Sequence, residues 1–127
     1  MKEIWFRTEY NSYVSSKQLR RTFRELPEEW KNNSYLPGED VLCKIHDGYG
    51  KFFLEEYVIK IENVELRQIE SLLDGDFRNS DAKSREDLKE KMARHYKKNY
   101  SGKELVRIID FSYTENNSKK LSLEYCS

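Results

Sequence analysis

The stretch VLCKIHDGYGKFFLEEYVIKIENV, residues 41–64, decides what kind of fold this chain can adopt. Val41, Cys43 and Ile45 alternate with Leu42 and Lys44, the two-residue period of an extended strand. Asp47-Gly48-Tyr49-Gly50 then supplies turn chemistry, and the apolar run from Phe52 to Val64 predicts a partner strand at the centre of a sheet. Upstream, Ile4 and Phe6 fall on one face and Trp5 and Arg7 on the other, a short first strand. Tyr10, Tyr13, Val14 and Lys17 change to helical spacing and predict a short helix over 9–18. Residues 26–37 contain Pro27, Trp30 and Pro37 and predict an irregular connection pinned to the core by Trp30 and Leu36.

Downstream, Leu66, Ile69, Leu72 and Leu73 recur at helical spacing up to Asp74-Gly75 and predict a helix over 65–73. Ser84 with Asp87 three residues on forms a capping start, and Leu88, Met92 and Tyr96 make the buried stripe of a helix over 85–97. Leu105, Val106, Ile108, Ile109 and Phe111 mark a buried strand over 104–113, with a last strand near 119–125 across the polar Asn116-Asn117-Ser118. The class is therefore α+β: a small mixed β-barrel or strongly bent sheet of about five or six strands with two or three flanking helices.

Composition bounds the rest. The 127 residues fit one domain over 1–127, with 36% charged and 37% hydrophobic residues and 9 Tyr, 6 Phe and 2 Trp to fill a small core. Lys plus Arg and Asp plus Glu are 23 each, so a polyanion partner has to be argued from local clusters, not net charge. No apolar run approaches the roughly 18 residues of a membrane span, and the start Met1-Lys2-Glu3-Ile4-Trp5 lacks a signal-peptide core; both predict a cytoplasmic protein without membrane contact. Cys43 and Cys126 are expected as thiols. Cys43 and His46 point to opposite faces of a strand, and Asp74, Asp76 and Asp81 lack calcium-loop spacing, so no metal is expected. The glycines form no phosphate loop, and no cofactor is expected.

Three features carry candidate chemistry. On an extended strand Arg20, Thr22 and Arg24 share one face, and two guanidiniums around a hydroxyl suit a phosphate or a base edge; the competing reading pairs these arginines with Glu25, Glu28 and Glu29. Between Lys83 and Lys103 the cations Lys83, Arg85, Lys89, Lys91, Arg94, Lys97, Lys98 and Lys103 outnumber Glu86, Asp87 and Glu90, which fits a solvated helix face or part of a basic stripe. Tyr49 and Phe52 flank the glycine turn and could stack on bases, although hairpin packing is their ordinary role.

The segment Asp76-Phe77-Arg78-Asn79-Ser80-Asp81-Ala82-Lys83-Ser84-Arg85-Glu86-Asp87-Leu88 followed by Tyr96 resembles the helix-entry signature of the ASCH family, whose folds are PUA-like. Asp76, Arg78, Ser80, Ser84, Glu86, Leu88 and Tyr96 agree with that signature; Phe77, Asp81 and Ala82 depart from it. Tyr35-Leu36-Pro37-Gly38-Glu39-Asp40-Val41, Thr22-Phe23-Arg24 and Val106 to Phe111 match further family segments in order, so the resemblance spans 4–113. It implies binding of RNA, a nucleotide or a modified nucleoside, with Arg20, Arg21, Thr22, Arg24, Ser80 and Asp81 as ligand-binding residues. One bacterial branch consists of acetylcytidine amidohydrolases that use a Lys, a Thr and a Glu. Here those positions hold Leu19, Thr22 and Asp81, so Thr22 as nucleophile and Asp81 as base form the alternative expectation. A threonine hydroxyl needs a group to remove its proton, and an arginine stays protonated, so Arg20 and Arg21 cannot replace the missing lysine. Binding is therefore the leading expectation, hydrolysis the second, and a protein-interaction domain the third.

Overall fold

The computed structural model describes residues 1–27, 33–53 and 55–114. Five strands are β1 (Glu3–Arg7), β2 (Arg21–Arg24), β3 (Asp40–His46), β4 (Tyr57–Gln68) and β5 (Leu105–Tyr113). Two helices join them, α1 (Asn11–Ser15), entered through a 3-10 turn at Thr8–Tyr10, and α2 (Arg85–Tyr96). The strands form one mixed sheet in the order β1-β3-β4-β5-β2, with β1 parallel to β3 and every other pair antiparallel. Its ladder is open, with β1 and β2 at the two edges. β4 binds the sheet together: its first half pairs with both β3 and β5, its second half with β5 alone. A register shift between Ile61 and Asn63 bends it there, because an extra residue on one strand turns the chain.

The bent sheet carries a core on each face. One contains Ile4, Phe6, Val14, Leu19, Ile59 and Phe111; the other contains Phe23, Ile69, Phe77, Leu88, Met92 and Ile108. β5 feeds both, since Ile109 and Phe111 alternate with Val106 and Ile108. A strand with apolar side chains on both faces needs neighbours along its whole length, and this corrects one expectation. Residues 65–68 extend β4 against Leu105–Ile108 instead of starting a helix, and only the 3-10 turns Ile69–Ser71 and Asp74–Phe77 follow. The supposed helical stripe splits accordingly: Ile69 and Leu72, three apart, are buried, while Leu66 and Leu73 are exposed. Sheet pairing outweighed a local periodicity four residues deep. The expected helix over 9–18 is similarly reduced to the 3-10 turn and α1, ended by Lys17 at φ 61°. Leu36 is exposed, and Tyr35 makes the anchor instead, its hydroxyl donating to the Glu3 carbonyl at 2.6 Å. Trp30 and the strand expected near 119–125 lie outside the described residues. Cys43 is a free, buried thiol whose pKa burial pushes up to about 12.

α2 follows its sequence signals. Ser84 Oγ accepts from the Asp87 amide at 3.1 Å, Asp87 Oδ2 accepts from the Lys83 amide at 2.8 Å, and Lys97 in the left-handed region closes the helix. Leu88 and Met92 are buried, and Tyr96 packs on the same core. Ser84→Ala is expected to cost about 1 kcal/mol in urea unfolding, whereas Lys89→Ala, which removes only a surface pair with Glu86, changes stability by a few tenths. Equal effects would contradict the cap.

Candidate functional site

The curl of the open sheet brings its two edges together, and Arg24 spans the gap. On β2, its Nη2 donates to the Trp5 carbonyl of β1 at 2.9 Å, its Nε donates to Thr22 Oγ1 at 3.0 Å, and its guanidinium lies 4.8 Å from the Phe6 ring centroid. Thr22, two residues earlier on the same face, is fully buried, and its hydroxyl donates to Asp81 Oδ2. The Phe23 amide donates to Asp81 Oδ1 at 3.2 Å. One carboxylate therefore joins a side chain and a main-chain donor of β2.

Asp81 is placed by the loop before α2, which runs along the outer edge of β2. The Arg20 and Arg21 amides donate to the Asn79 carbonyl at 2.8 and 3.1 Å, and Ser80 bridges to Arg21. The Asp81 carbonyl accepts from Tyr10 Oη at 3.0 Å and from Lys91 Nζ at 2.9 Å, so α1's approach, α2 and β2 all converge on this residue. Lys91 also lies 5.3 Å from the Tyr10 ring centroid and 3.2 Å from Asp87 Oδ2. Burial disfavours its charge, but Tyr10 and the Asp87 carboxylate outweigh that and hold its pKa above the ordinary lysine value. It remains an ammonium and cannot serve as a base.

Beside this constellation opens a cavity of about 140 Å³, lined among others by Phe6, Tyr10, Arg24, Asp81, Lys91 and Tyr96. Ligand pockets for drug-sized molecules run to about 300–1,000 Å³, so this one matches a single ring-sized group. Its walls combine aromatic rings with the cations Arg7, Arg24, Lys91 and Arg94 and the carboxylates Glu9 and Asp81. Behind Arg24, its register partner Arg107 is almost fully buried, 5.5 Å from the Tyr35 ring centroid, and burial holds its pKa below the usual arginine value. A second guanidinium adds positive potential without a carboxylate paired to it among the described residues.

Burial raises the Asp81 carboxyl above the ordinary aspartate range, against the opposing pull of Arg24, the Thr22 hydroxyl and the Phe23 amide. A carboxyl raised on folding favours the folded state fully below its unfolded pKa of about 4 and loses that contribution as pH rises through the folded value. Asp81→Asn, which never ionises, is therefore expected to gain stability relative to wild type as pH rises from about 4 upward. The carboxyls held low, Glu3, Asp76, Asp87 and Glu104, act in the opposite sense but equally in both proteins, so the difference in urea midpoints isolates Asp81. A difference independent of pH would contradict this.

Of the residues singled out in the sequence, Thr22, Arg24 and Asp81 come together; Arg20, Arg21 and Ser80 are placed elsewhere. Arg21 forms a bidentate pair with its register partner Asp110 at 2.6 and 3.0 Å and donates to the Asp76 carbonyl at 3.0 Å. Arg20 is exposed, with Nε 3.5 Å from the Lys17 carbonyl. Ser80 Oγ lies 2.8 Å from both the Phe77 and Ala82 carbonyls and closes its own loop. Glu25, expected as an arginine partner, pairs with Lys98 instead. Leu19, which the resemblance sets at the amidohydrolase lysine position, is fully buried in the core with Val14 and Ile59. Lys91 and Tyr10 were not singled out for the site. The available signal was Lys91's place three residues after Leu88 and next to Met92, which puts it on the packed side of α2.

No family model matches this chain, and no curated protein matches it. Solved structures do. Protein EF3133 from Enterococcus faecalis V583, of family DUF984, aligns with TM-score 0.62 and 14% identity over 90% of this chain and 80% of that one. The hypothetical protein PH0355 aligns with TM-score 0.59 and 17% identity over 90% and 100%. An ASCH domain from Lactobacillus crispatus JV V101 aligns with TM-score 0.51 and 15% identity over 83% and 73%. At these identities the likeness concerns the fold: the α+β architecture of this chain is ASCH-like, and thus PUA-like, with an open sheet.

Proposed function

We propose that this protein is an RNA- or nucleotide-binding module of the ASCH type, which holds one base or modified base in the cleft between β1, β2 and α2. The observation that carries this reading is the cleft's composition: Arg24 and Lys91 for a phosphate, Phe6, Tyr10 and Tyr96 for a ring, and the Asp81 carboxyl for a polar edge. Thr22 acts here as a positioning residue, passing the Arg24 contact on to Asp81. A cytoplasmic setting accompanies this reading; no helix among the described residues is long and apolar enough to cross a membrane. Part of the lysine-rich surface around α2 is paired locally, Lys89 with Glu86 and Lys98 with Glu25.

A second reading, deacylation of an acylated nucleoside with Thr22 as nucleophile and Asp81 as base, has one observation in its favour, the Thr22–Asp81 hydrogen bond. It is the weaker reading, because Thr22 is fully buried, already accepts from Arg24, and has no neutral amine within the described cleft. Titration of cytidine monophosphate and of a labelled single-stranded RNA at several salt concentrations tests binding. The expected result is an RNA affinity whose logarithm falls linearly with the logarithm of salt. Absence of binding to either at any salt would overturn the reading.

A further inference from the structure

We propose that Trp5, Phe52 and Tyr49 form a stacking track that leads a single-stranded RNA out of the cleft, one nucleotide in the cavity and its neighbours on these rings; this rests on the nucleotide-binding reading above. Trp5 sits on the face of β1 opposite Ile4 and Phe6 and is 48% exposed; Phe52, bridged to His46, is 40% exposed. Their rings meet edge to face at 4.9 Å, and the His46 ring lies 5.8 Å from Trp5 and 6.1 Å from Phe52. Tyr49, at the tip of the following turn, is 92% exposed. That exposure is built in: Asp47 Oδ1 accepts from the Tyr49 and Lys51 amides at 2.7 and 3.1 Å, and Gly48 and Gly50 take φ of 86° and 89°, where a side chain would be strained.

The track is continuous with the cleft. Trp5 and His46 line the cavity, and Arg7, Glu9 and Arg94 line both the cavity and a depression that also reaches Asp47, Gly48 and Tyr49. Arg7 and Arg94 have no ion pair among the described residues and flank this path; facing them are Glu9 and Asp47, the latter engaged by the turn amides. Lys44, 5.3 Å from the Phe52 ring centroid, is balanced by Glu3 and Glu56. With cations and carboxylates so nearly matched, stacking supplies most of the gain, as in sequence-tolerant single-strand readers. A duplex would present no free base faces to these rings.

The experiment compares cytidine monophosphate with a fluorescein-labelled single-stranded RNA octamer on wild type, Tyr49→Ala and Tyr49→Phe. The octamer is expected to bind wild type at least about tenfold more tightly than the monophosphate does, and Tyr49→Ala to weaken the octamer about 5- to 150-fold, the range found for one stacking ring. Monophosphate affinity stays unchanged, and Tyr49→Phe restores the octamer. If the monophosphate binds and the octamer binds no better, or Tyr49→Ala leaves the octamer unaffected, the track is wrong and the cleft stands. If neither ligand binds, the cleft reading falls and the track with it. Self-association of wild type in sedimentation that Tyr49→Ala abolishes would assign the rings to a second copy of the chain and overturn the proposal.

Discussion

Leu19→Lys is expected to lose about 4 kcal/mol of stability and to release no acetate from acetylated cytidine. The substitution puts a lysine where the resemblance sets the amidohydrolase lysine, yet the structure gives it no cleft to enter. Leu19 is fully buried in the core that contains Ile4, Val14 and Ile109, its amide donates to the Tyr13 carbonyl at 3.2 Å, and its carbonyl accepts from Tyr113 Oη at 2.7 Å. The main chain is thus fixed on both sides, and the side chain cannot turn outward without breaking those bonds. An ammonium there would be unpaired, and neutralising it by a depressed pKa still costs several kcal/mol. Urea unfolding measures the loss. A variant as stable as wild type that hydrolyses acetylcytidine would show that position 19 faces the cleft and would restore the hydrolase reading.

Arg24→Ala is expected to weaken nucleotide and RNA binding by about 30- to 100-fold and to cost about 2 kcal/mol of stability. The stability loss follows from the contacts: one guanidinium serves the Trp5 carbonyl, the Thr22 hydroxyl and the Phe6 ring, and hydrogen bonds to charged groups contribute about 1.5–3 kcal/mol. The binding loss has two sources, a missing cation and a gap between β1 and β2 that is no longer spanned. Arg24→Lys should not restore either, because a single ammonium cannot reproduce the planar fork that reaches Trp5 and Thr22 at once. Arg20→Ala makes the control: exposed and outside the cavity, it should change the salt slope by at most about one unit with stability unaltered. Equal effects of Arg20→Ala and Arg24→Ala would mean that the strand's outer charge, not the cleft, attracts the ligand.

What could be read from the sequence, and what could not, divides by the range of the interactions. The hairpin from Val41 onward, the strand ending at Tyr113 and the capped helix α2 declare themselves through period and local capping. The stretch around Leu66 to Leu73 misled because its spacing is helical while its partner, β5, lies forty residues away and demanded a strand. In the site, Thr22 and Arg24 share a face by simple alternation, but their meeting with Asp81 came from the family resemblance, since 59 residues separate Thr22 from Asp81. Lys91 looked like one of many helix-surface lysines and Tyr10 like core. Both read so because their common partner is a main-chain carbonyl, and a carbonyl leaves no mark in a sequence.

The most direct test of the proposed nucleotide-binding cleft is an amide and indole NMR titration of the full chain with cytidine monophosphate. The account predicts that the largest shifts fall on the Phe23, Arg24 and Ala82 amides and the Trp5 indole, around the cavity and the Asp81 loop, while Arg21 and Asp110, locked in their own pair, stay still. Shifts confined to the Arg21, Asp76 and Asp110 side, or none at millimolar ligand, would contradict it.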